Sequence, residues 1–277
     1  PSSCAFVDVR DCVFRAGGRF HPEGTGIFVT HASDCRIEHN LVEDFYYSGI
    51  TVGYVWGYKG SPSQRNTIAY NRISRIGQGE LSDMGGIYLL GTSYGTVVAN
   101  NVISHVKGRD GSAWGLYLDE GSEGVVLENN VVSHTETGGI NQHYGVGCHI
   151  RNNIFAYNDR AGVMHTIKRE VANVPSSIHV TGNVFYTEKG PLLSRLATRV
   201  DGVYAHNVWW KPTGVAKDDF AADTAEAYLA SGRAYGDVVA DPLFVDARAG
   251  DFRLRPDSPA LKLGFREWDH RQAGPRP

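Results

Sequence analysis

The sequence predicts an all-β fold, a right-handed single-stranded parallel β-helix with one short helix and an irregular C-terminal cover. The main observation is a hexapeptide, apolar-x-x-Asn-x-apolar, that recurs at intervals within the roughly 20 to 50 residues typical of solenoid repeats. The segments between its copies have no helical period, which indicates short apolar strands. Parallel crossovers are right-handed in nearly all sheets, and this sets the expected hand. The repeated asparagines are Asn40, Asn71, Asn101, Asn130, Asn153, Asn183 and Asn207.

The asparagine has a physical explanation. In one register, each side-chain amide lies about 4.8 Å from the asparagine of the next coil and can bond to it, forming a ladder inside a turn. A degenerate copy of the hexapeptide, with Cys12 at the asparagine position, precedes the first complete one. We therefore interpret the repeated asparagines as structural rather than catalytic.

A glycine introduces a second strand in each coil. When the coils are aligned on this glycine, positions +1 and +3 point inward and positions +2 and +4 point outward, because side chains alternate across a strand. The outward positions then carry aromatic rings, a carboxylate and an imidazole in consecutive coils. Such a face suits a sugar-binding groove, and cross-coil stacking on a solvated face is the alternative. The aligned glycines are Gly26, Gly49, Gly86, Gly115, Gly139 and Gly162.

The chain is predicted to form one domain, with coils over residues 1–215 and a short helix and capping segment over residues 216–277. Residues 219–231 are rich in alanine and precede Gly232, which predicts a helix with a glycine C-cap. Residues 241–277 do not repeat and are too few to bury their own core, so they predict the C-terminal cover. Because a solenoid needs a cap at each end, the strand-like beginning predicts a mature or truncated chain, or first coils that lie elsewhere.

Composition limits the possible partners. The chain has 277 residues, of which 42% are hydrophobic and 21% charged, and its net charge of −3 predicts neither a nucleic-acid nor a membrane-surface partner. No apolar run approaches the length of a membrane span. Cys35 and Cys148 occupy equivalent coil positions and are predicted to be small buried residues rather than metal ligands. We expect no metal and no cofactor, and the oligomeric state stays open.

Two acids are the candidate catalytic residues. Asp119 lies on the outward face beside aromatic and apolar residues, and Asp83 precedes the pair Gly85-Gly86. Two carboxyls with differently tuned pKa values are the usual machinery of glycoside hydrolysis, where one donates a proton and the other attacks or activates water. An Asx-turn role for Asp83 and a backbone-satisfied loop acid at Asp119 are the alternatives. Glu120 competes with Asp119, but strand alternation turns it inward or into the turn.

The two acids must meet for this chemistry, and we expect their carboxyls within about 10 Å of each other, the upper range for cooperating glycosidase acids. Adjacent coils are only about 4.8 Å apart along the axis. Laterally, however, Asp83 and Asp119 lie at positions −3 and +4. They can therefore meet only if the segment before Gly85-Gly86 folds back over the sheet, which a glycine pair permits.

Further residues are predicted to bind substrate. Tyr88, Trp114 and Tyr117 would stack on sugar rings, and His143, one coil below Asp119, could hold a proton, a sugar hydroxyl or the carboxylate itself. His165 lies at an inward position, and Arg169 belongs to a charged loop whose alternative role is a solvated ion cluster. The full set of predicted substrate-binding residues is Tyr88, Trp114, Tyr117, Glu120, His143, Tyr144, His165 and Arg169.

Several runs resemble motifs of glycoside hydrolase family 141, whose members are parallel β-helix enzymes. The run DMGGIY at residues 83–88 resembles the motif with one essential acid, and GLYLDEG at residues 115–121 resembles the motif with the other. The run QHYG at residues 142–145 is similar to the next coil of the family. The resemblance implies hydrolysis of plant cell-wall glycans, with α-L-fucosidase and xylanase among the known activities, and it places the two acids on Asp83 and Asp119. Family members are usually longer, with upstream coils and added β-domains.

A carbohydrate partner and a secreted or periplasmic location follow from this resemblance, but two other functions stay open. A polysaccharide lyase or epimerase could use the same fold, with Lys168, Arg169 or His165 as the base or the neutralising cation. The presumed groove is not strongly basic, and the sequence has no Asp-rich calcium motif. A non-catalytic carbohydrate-binding solenoid would keep the aromatic face without the acids. The carboxyl pair distinguishes these functions, because a hydrolase needs both acids at one position of the groove.

Overall fold

The computed structural model describes residues 3–165, 176–194, 200–221 and 223–277. The described strands form three long parallel sheets that stack coil upon coil, and this confirms the predicted parallel β-helix. The first sheet precedes the repeated asparagines and contains Asp8–Arg10, Arg36–Glu38, Thr67–Ala69, Val97–Ala99, Val126–Glu128, Cys148–Arg151, Ser177–Thr181, Asp201–Ala205 and Ala234–Tyr235. The second sheet follows the asparagines and contains Val13–Gly17, Leu41–Phe45, Arg72–Ile76, Val102–Val106, Val131–Thr135, Ile154–Ala156, Val184–Tyr186, Val208–Trp210 and Val238–Val239.

The third sheet contains the strands that directly follow or include the aligned glycines, together with one short strand, Gly145–Val146. Its strands are Ile27–Thr30, Ile50–Gly53, Met84–Thr92, Ala113–Glu123, Gly138–Gln142, Gly145–Val146 and Ala161–His165. Two smaller pairs complete the described strands. Cys4–Ala5 pairs in parallel with Ala32–Ser33, and Phe244–Asp246 pairs in antiparallel with Asp251–Leu254.

Each hexapeptide spans two strands, whereas the sequence pattern predicted two strands for a whole coil. The residue before the asparagine has a positive φ, such as 55° at Tyr70 and Asn100 and 64° at Gly182, so the chain turns sharply there. This left-handed residue separates the first sheet from the second. The coil therefore has three faces, and the asparagine lies at the corner between two of them.

The predicted asparagine ladder is confirmed. The side-chain amide of Asn71 donates to Asn101 Oδ1 at 2.9 Å, and that of Asn101 donates to Asn130 Oδ1 at 2.9 Å. Each amide also donates to a backbone carbonyl, as Asn101 does to Ile68 at 2.9 Å. The same side-chain bond joins every successive pair from Asn40 to Asn207, and the ladder side chains are fully buried.

The ladder ends at Asp237 rather than at another asparagine. Asn207 donates to Asp237 Oδ1 through its side chain at 3.1 Å and its backbone N–H at 2.7 Å. Trp209 Nε1 and the Tyr228 hydroxyl donate to Oδ2 at 2.8 and 2.9 Å. A carboxylate accepts on both oxygens, whereas an asparagine would turn an NH₂ group toward two donors. Burial raises the pKa of Asp237, and these hydrogen bonds oppose the rise by stabilising the anion.

Replacing Asn101 by alanine is expected to lower the free energy of unfolding by about 1 to 3 kcal/mol, because buried amide and carbonyl groups in three coils lose their partner. Urea denaturation measures this loss. Turnover per folded molecule should barely change, since Asn101 lies in the ladder and not in the cavity described below. A large fall in kcat at an unchanged melting temperature would contradict the structural role.

The register of the third sheet agrees with the glycine alignment. Ile87 pairs with both Ile50 and Leu116, and Leu116 pairs with Ile140, all at the predicted +1 position. These inward side chains are fully buried. The outward Tyr88 is also almost completely buried, because loops cover this face in the middle coils. The middle of the third sheet is therefore enclosed rather than solvated.

The helices differ from the predicted single helix over residues 219–231. Helix α1 spans Ala225–Ala230, because the Thr224 side chain caps its beginning by accepting from Ala227 N–H, and Gly232 follows its end with a φ of 73°. A second helix, α2, spans Pro259–Lys262 inside the cover, and a 3₁₀ turn spans His270–Gln272. The coils also continue past residue 215, since α1 is an insertion before the strands of the last coil.

The C-terminal cover, residues 241–277, packs on the outer side of the second sheet. Phe244, Phe252 and Phe265 bury their rings against apolar side chains of that sheet. The cover then runs back along the coils, where Arg72 Nε donates to the Ala273 carbonyl at 3.2 Å. It reaches the first coil, where the Arg276 guanidinium pairs with Asp11 at 2.6 Å. The cover thus contacts both ends of the stack.

Cys35 and Cys148 are buried, as predicted, whereas Cys4 and Cys12 are exposed. No helix in the described parts of the chain has the length and hydropathy needed to span a membrane.

Candidate active site

A cavity of about 560 Å³ lies over the middle of the third sheet. It brings together both predicted acids and most of the predicted substrate-binding residues. Its lining residues are Tyr47, Tyr54, Trp56, Ser82, Asp83, Tyr88, Asp110, Ser112, Trp114, Tyr117, Asp119, Glu120 and His143.

Asp119 lies in the strand Ala113–Glu123 and is only 5% exposed. Its Oδ1 is 2.9 Å from His143 Nδ1, and its Oδ2 accepts from the Tyr88 hydroxyl at 2.5 Å. Burial alone would raise the pKa of Asp119, but the hydrogen bonds from His143 and Tyr88 outweigh burial and lower it. The carboxyl is therefore held as an anion, and the alternative of a loop acid satisfied only by backbone does not describe it.

Asp83 lies directly before the strand Met84–Thr92, at a φ of 58° where the chain changes direction. Its exposed side chain reaches the same cavity as Asp119, and the Tyr117 hydroxyl donates to Asp83 Oδ1 at 2.9 Å. The Tyr117 ring stacks on that of Tyr88, which donates to Asp119, so the two acids are held by neighbouring phenols of one aromatic floor. Gly85 makes this possible, because a Cβ there would lie 3.1 Å from Tyr117 Cβ. Asp83 and Asp119 therefore line one cavity, and their catalytic pairing stays a prediction.

Glu120 also faces the cavity, although strand alternation predicted that it turns inward or into the turn. The reason is a bulge after Asp119, where Leu90 pairs with Asp119 but Thr92 pairs with Glu123. Bulges often redirect a side chain beside an active site. Glu120 Oε1 lies 4.0 Å from His143 Nδ1, and its Oε2 accepts from the Tyr144 hydroxyl at 3.2 Å.

The predicted stacking rings pack mostly on one another. The ring centroids of Tyr88 and Tyr117 are 4.5 Å apart, and those of Trp114 and Tyr117 are 4.4 Å apart. All three side chains are at most 4% exposed, so they form the floor of the cavity rather than open platforms. The indole of Trp56 is 55% exposed, which leaves it as the ring with a face available to a sugar.

Trp56 and Tyr54 were not predicted as site residues. They come from residues 54–60, a segment outside the repeat that lies across the third sheet. Two glycines with positive φ allow this close approach, because a Cβ on Gly91 would lie 1.9 Å from the Val55 carbonyl oxygen and one on Gly121 would lie 2.3 Å from Gly57. The aromatic run around these residues was the only sequence signal for them.

Replacing Gly121 by alanine is expected to displace residues 54–60 and move Trp56 away from the cavity. Gly147 gives a matched control, because its φ of 64° resembles the 76° of Gly121 but its Cβ would meet no atom within 4 Å. Backbone strain is then similar in both variants. The steric clash should make Gly121→Ala less stable than Gly147→Ala by about 1 to 3 kcal/mol in urea denaturation. Equal stability of the two variants would show that the segment does not depend on Gly121.

The cavity is strongly acidic. Asp83, Asp110, Asp119 and Glu120 line it, and none of the described lining residues is a lysine or an arginine. The Ser82 hydroxyl beside Asp110 holds the pKa of that carboxyl below its usual range. A negatively charged ligand would therefore be repelled, while neutral sugars or cations would be accepted.

Two of the predicted substrate-binding residues, His165 and Arg169, lie partly or wholly outside the described residues. The backbone of His165 ends a strand of the third sheet, but its side chain lies outside the described residues. Arg169 and the neighbouring Lys168 lie outside the described residues altogether. Tyr144 is buried behind Glu120 and contacts the site through its hydroxyl.

A larger groove, of about 760 Å³, lies on the second sheet and contains none of the predicted site residues. Its floor is formed by His105, His134 and Tyr157, whose rings stack at centroid distances of 5.0 and 5.1 Å. Each ring covers the faces of the next, as in ordinary cross-coil stacking.

The family of this chain can be stated from the comparison with protein families. The model described as "right handed beta helix region" matches residues 2–190, and the chain belongs to this family. No curated protein matches the chain. Among solved structures, a chain described as a glycoside hydrolase is similar with a TM-score of 0.48 and 23% identity, covering 59% of this chain and 25% of that chain. The crystal structure of the periplasmic alginate epimerase AlgG is similar with a TM-score of 0.45 and 18% identity, covering 68% of this chain and 40% of that chain. The chain thus spans less than half the length of either structure.

Proposed function

We propose that this chain is a glycoside hydrolase in which Asp83 and Asp119 are the two catalytic carboxyls. The observation that carries the proposal is that Asp83 and Asp119 line one aromatic-floored cavity, where the stacked phenols of Tyr117 and Tyr88 each donate to one of them. A structural carboxylate needs no second acid beside it, whereas two carboxyls facing one space are what glycoside hydrolysis requires.

The surroundings of the two acids support different roles. Asp119 accepts hydrogen bonds on both oxygens from His143 and Tyr88, which favours the ionised form needed to attack the anomeric carbon or to stabilise positive charge there. Asp83 is exposed at the rim of the cavity, where it can reach the leaving oxygen and exchange protons with solvent. We therefore assign Asp119 as the carboxylate and Asp83 as the proton donor.

The placement of the two acids on neighbouring phenols also favours one stereochemical outcome. Tyr117 donates to Asp83, and Tyr88, whose ring stacks on Tyr117, donates to Asp119, so we propose the carboxyl separation of about 5 to 5.5 Å found in retaining enzymes rather than the roughly 6.5 to 9.5 Å that leaves room for a water. Retention of the anomeric configuration in the first product, read by proton NMR, is the expected result. Inversion would contradict the role of Asp119 as a nucleophile.

The acidic cavity supports a neutral glycan as substrate, with Trp56 stacking on one sugar. Within the resemblance to glycoside hydrolase family 141, an α-L-fucosidase or xylanase type of activity on plant cell-wall polysaccharide is the proposed activity. A secreted or periplasmic location follows from such a substrate. The acidity argues against a lyase or epimerase acting on uronates, because the described lining residues include no lysine or arginine to pair with the substrate carboxylate.

The proposal is tested by incubating the protein with a panel of neutral and acidic plant polysaccharides and aryl glycosides. On a neutral substrate we expect new reducing ends, and we expect no ultraviolet absorbance, which would indicate an unsaturated product. Asp119→Asn should abolish the formation of reducing ends. Unsaturated or epimerised products would show that the protein is a lyase or an epimerase instead of a hydrolase. Saturable binding without any product would identify a non-catalytic carbohydrate-binding protein.

A further inference from the structure

We propose that Asp119, Glu120 and His143 form a binding site for a first-row divalent cation such as Zn²⁺ or Mn²⁺. Among the described residues, these three form a group whose possible ligand atoms all lie within 4.8 Å of one another. The sequence predicted no metal, because the bulge that brings Glu120 beside His143 cannot be read from strand alternation. The inference concerns cation binding and does not rest on the proposed hydrolysis, but an ion on Asp119 would occupy the carboxylate that hydrolysis needs, so the two states would exclude each other and the ion would act as an inhibitor.

The distances fit one ion. At a ligand distance of about 2.1 Å, two ligand atoms are separated by about 3.0 Å when they are at right angles and about 4.2 Å when they are opposite. His143 Nδ1 lies 2.9 Å from Asp119 Oδ1 and 4.0 Å from Glu120 Oε1, and all three ligand atoms lie within 4.8 Å of one another, so a small movement of the partly exposed Glu120 would close the group around one ion. One nitrogen and two carboxylate oxygens suit Zn²⁺ or Mn²⁺ better than Ca²⁺, which takes six to eight oxygens.

The groups around the three side chains have the arrangement expected behind metal ligands. The Tyr88 hydroxyl holds Asp119 Oδ2, and the Tyr144 hydroxyl holds Glu120 Oε2. Each carboxylate thus has one oxygen fixed by a phenol and the other directed toward His143 Nδ1. Metal-binding carboxylates are characteristically held in this way by a second hydrogen bond.

Two further observations favour a cation. The imidazole of His143 is 2% exposed, and its Nε2 has no hydrogen-bond partner within the described part of the chain, so this buried ring could coordinate an ion through Nδ1, which would replace the proton that Nδ1 shares with Asp119 Oδ1. The cavity also carries several carboxyls and no described lysine or arginine in its lining, so a cation would compensate its charge. A bound ion would neutralise Asp119, and it would leave coordination positions open to water or sugar hydroxyls.

The test is isothermal titration of the whole, chelator-dialysed protein with ZnCl₂, MnCl₂ and CaCl₂, without any substrate. One ion per chain is expected, with Zn²⁺ or Mn²⁺ bound more tightly than Ca²⁺. Glu120→Gln removes a ligand at a partly exposed position, and Tyr144→Phe removes only the phenol behind it. Each should weaken binding by about 10- to 100-fold.

The matched control is Asp110→Asn, which removes a carboxylate from the same cavity but not from the cluster. It should keep the wild-type affinity, and circular dichroism should show that all variants are folded. Absence of binding in the wild type, tighter binding of Ca²⁺ than of Zn²⁺ and Mn²⁺, or equal losses in Asp110→Asn and Glu120→Gln would each overturn the proposal. None of these results depends on whether the protein hydrolyses a glycan.

Discussion

Asp119→Asn is expected to lower kcat/KM for glycoside hydrolysis by a factor on the order of 10² to 10⁴, the range for removing a positioned catalytic group. The physical reason is the loss of the anion that Tyr88 and His143 hold in the cavity. Asparagine has nearly the same shape and can still accept one of these hydrogen bonds, so the fold should persist. Steady-state kinetics on the substrate identified in the screen, with a melting curve of the same preparation, make the measurement.

Asp110→Asn is the control for Asp119→Asn. Both residues line the cavity, but Asp110 is exposed and bonds to Ser82 and Ser112 rather than to the aromatic floor. The control variant should keep most of the activity, because it removes the same charge without removing a catalytic group. Near-full activity of Asp119→Asn would show that Asp119 is not catalytic. Equal losses of activity in both variants would show that Asp119 contributes only negative charge to the cavity.

Asp83→Asn is expected to cause a loss of similar size, but only on substrates with poor leaving groups. A proton donor is needed when the departing oxygen is a strong base, such as a sugar hydroxyl, and is dispensable for an acidic phenol. Asparagine tolerates the φ of 58° at this position and can still accept from Tyr117, so the variant should fold normally.

The leaving-group comparison separates the roles of the two acids. Asp83→Asn should hydrolyse a dinitrophenyl glycoside nearly as fast as the wild type while failing on the corresponding oligosaccharide. Asp119→Asn should fail on both substrates, because the carboxylate acts whatever the leaving group is. The opposite pattern would exchange the two assignments, and full activity of both variants on the oligosaccharide would refute the pair.

The regular parts of this fold could be predicted from the sequence because each coil repeats the same physical requirement. The side chains of Asn71 and Asn101 can bond to each other only if successive coils stack in one register. Ile87 and Leu116 fill the same inward position in successive coils. The residue with positive φ before each asparagine has no constant identity, since it is, for example, Tyr, Asn or Gly in different coils. The sequence pattern therefore does not predict the turn at this residue, and it indicates one strand where the structure has two.

The irregular parts of the site could not be predicted in the same way. Glu120 faces the cavity because of a bulge, and Trp56 reaches it from a segment that belongs to no repeat. Asp110 lies beside Asp83 only because their loops stack, as the bond from Asp110 N–H to the Ser82 hydroxyl shows. Strand periodicity contains no information about such positions, whereas Asp83 and Asp119 were predicted from residue type and from the resemblance to a known family, and their catalytic role stays a prediction.

The C-terminal cover has a consequence for how the molecule unfolds. In a simple stack, each coil touches only its neighbours, so an end coil can open while the rest stays folded. Here the cover joins Asp11 in the first coil, Arg72 in the third and the aromatic cluster around Phe252 near the last coils. Opening either end must break contacts with a segment that is also bound elsewhere. Partly unfolded states are therefore less stable relative to the intact protein than they would be in a simple stack. We expect this repeat protein to unfold in one all-or-none transition, as a small globular domain does.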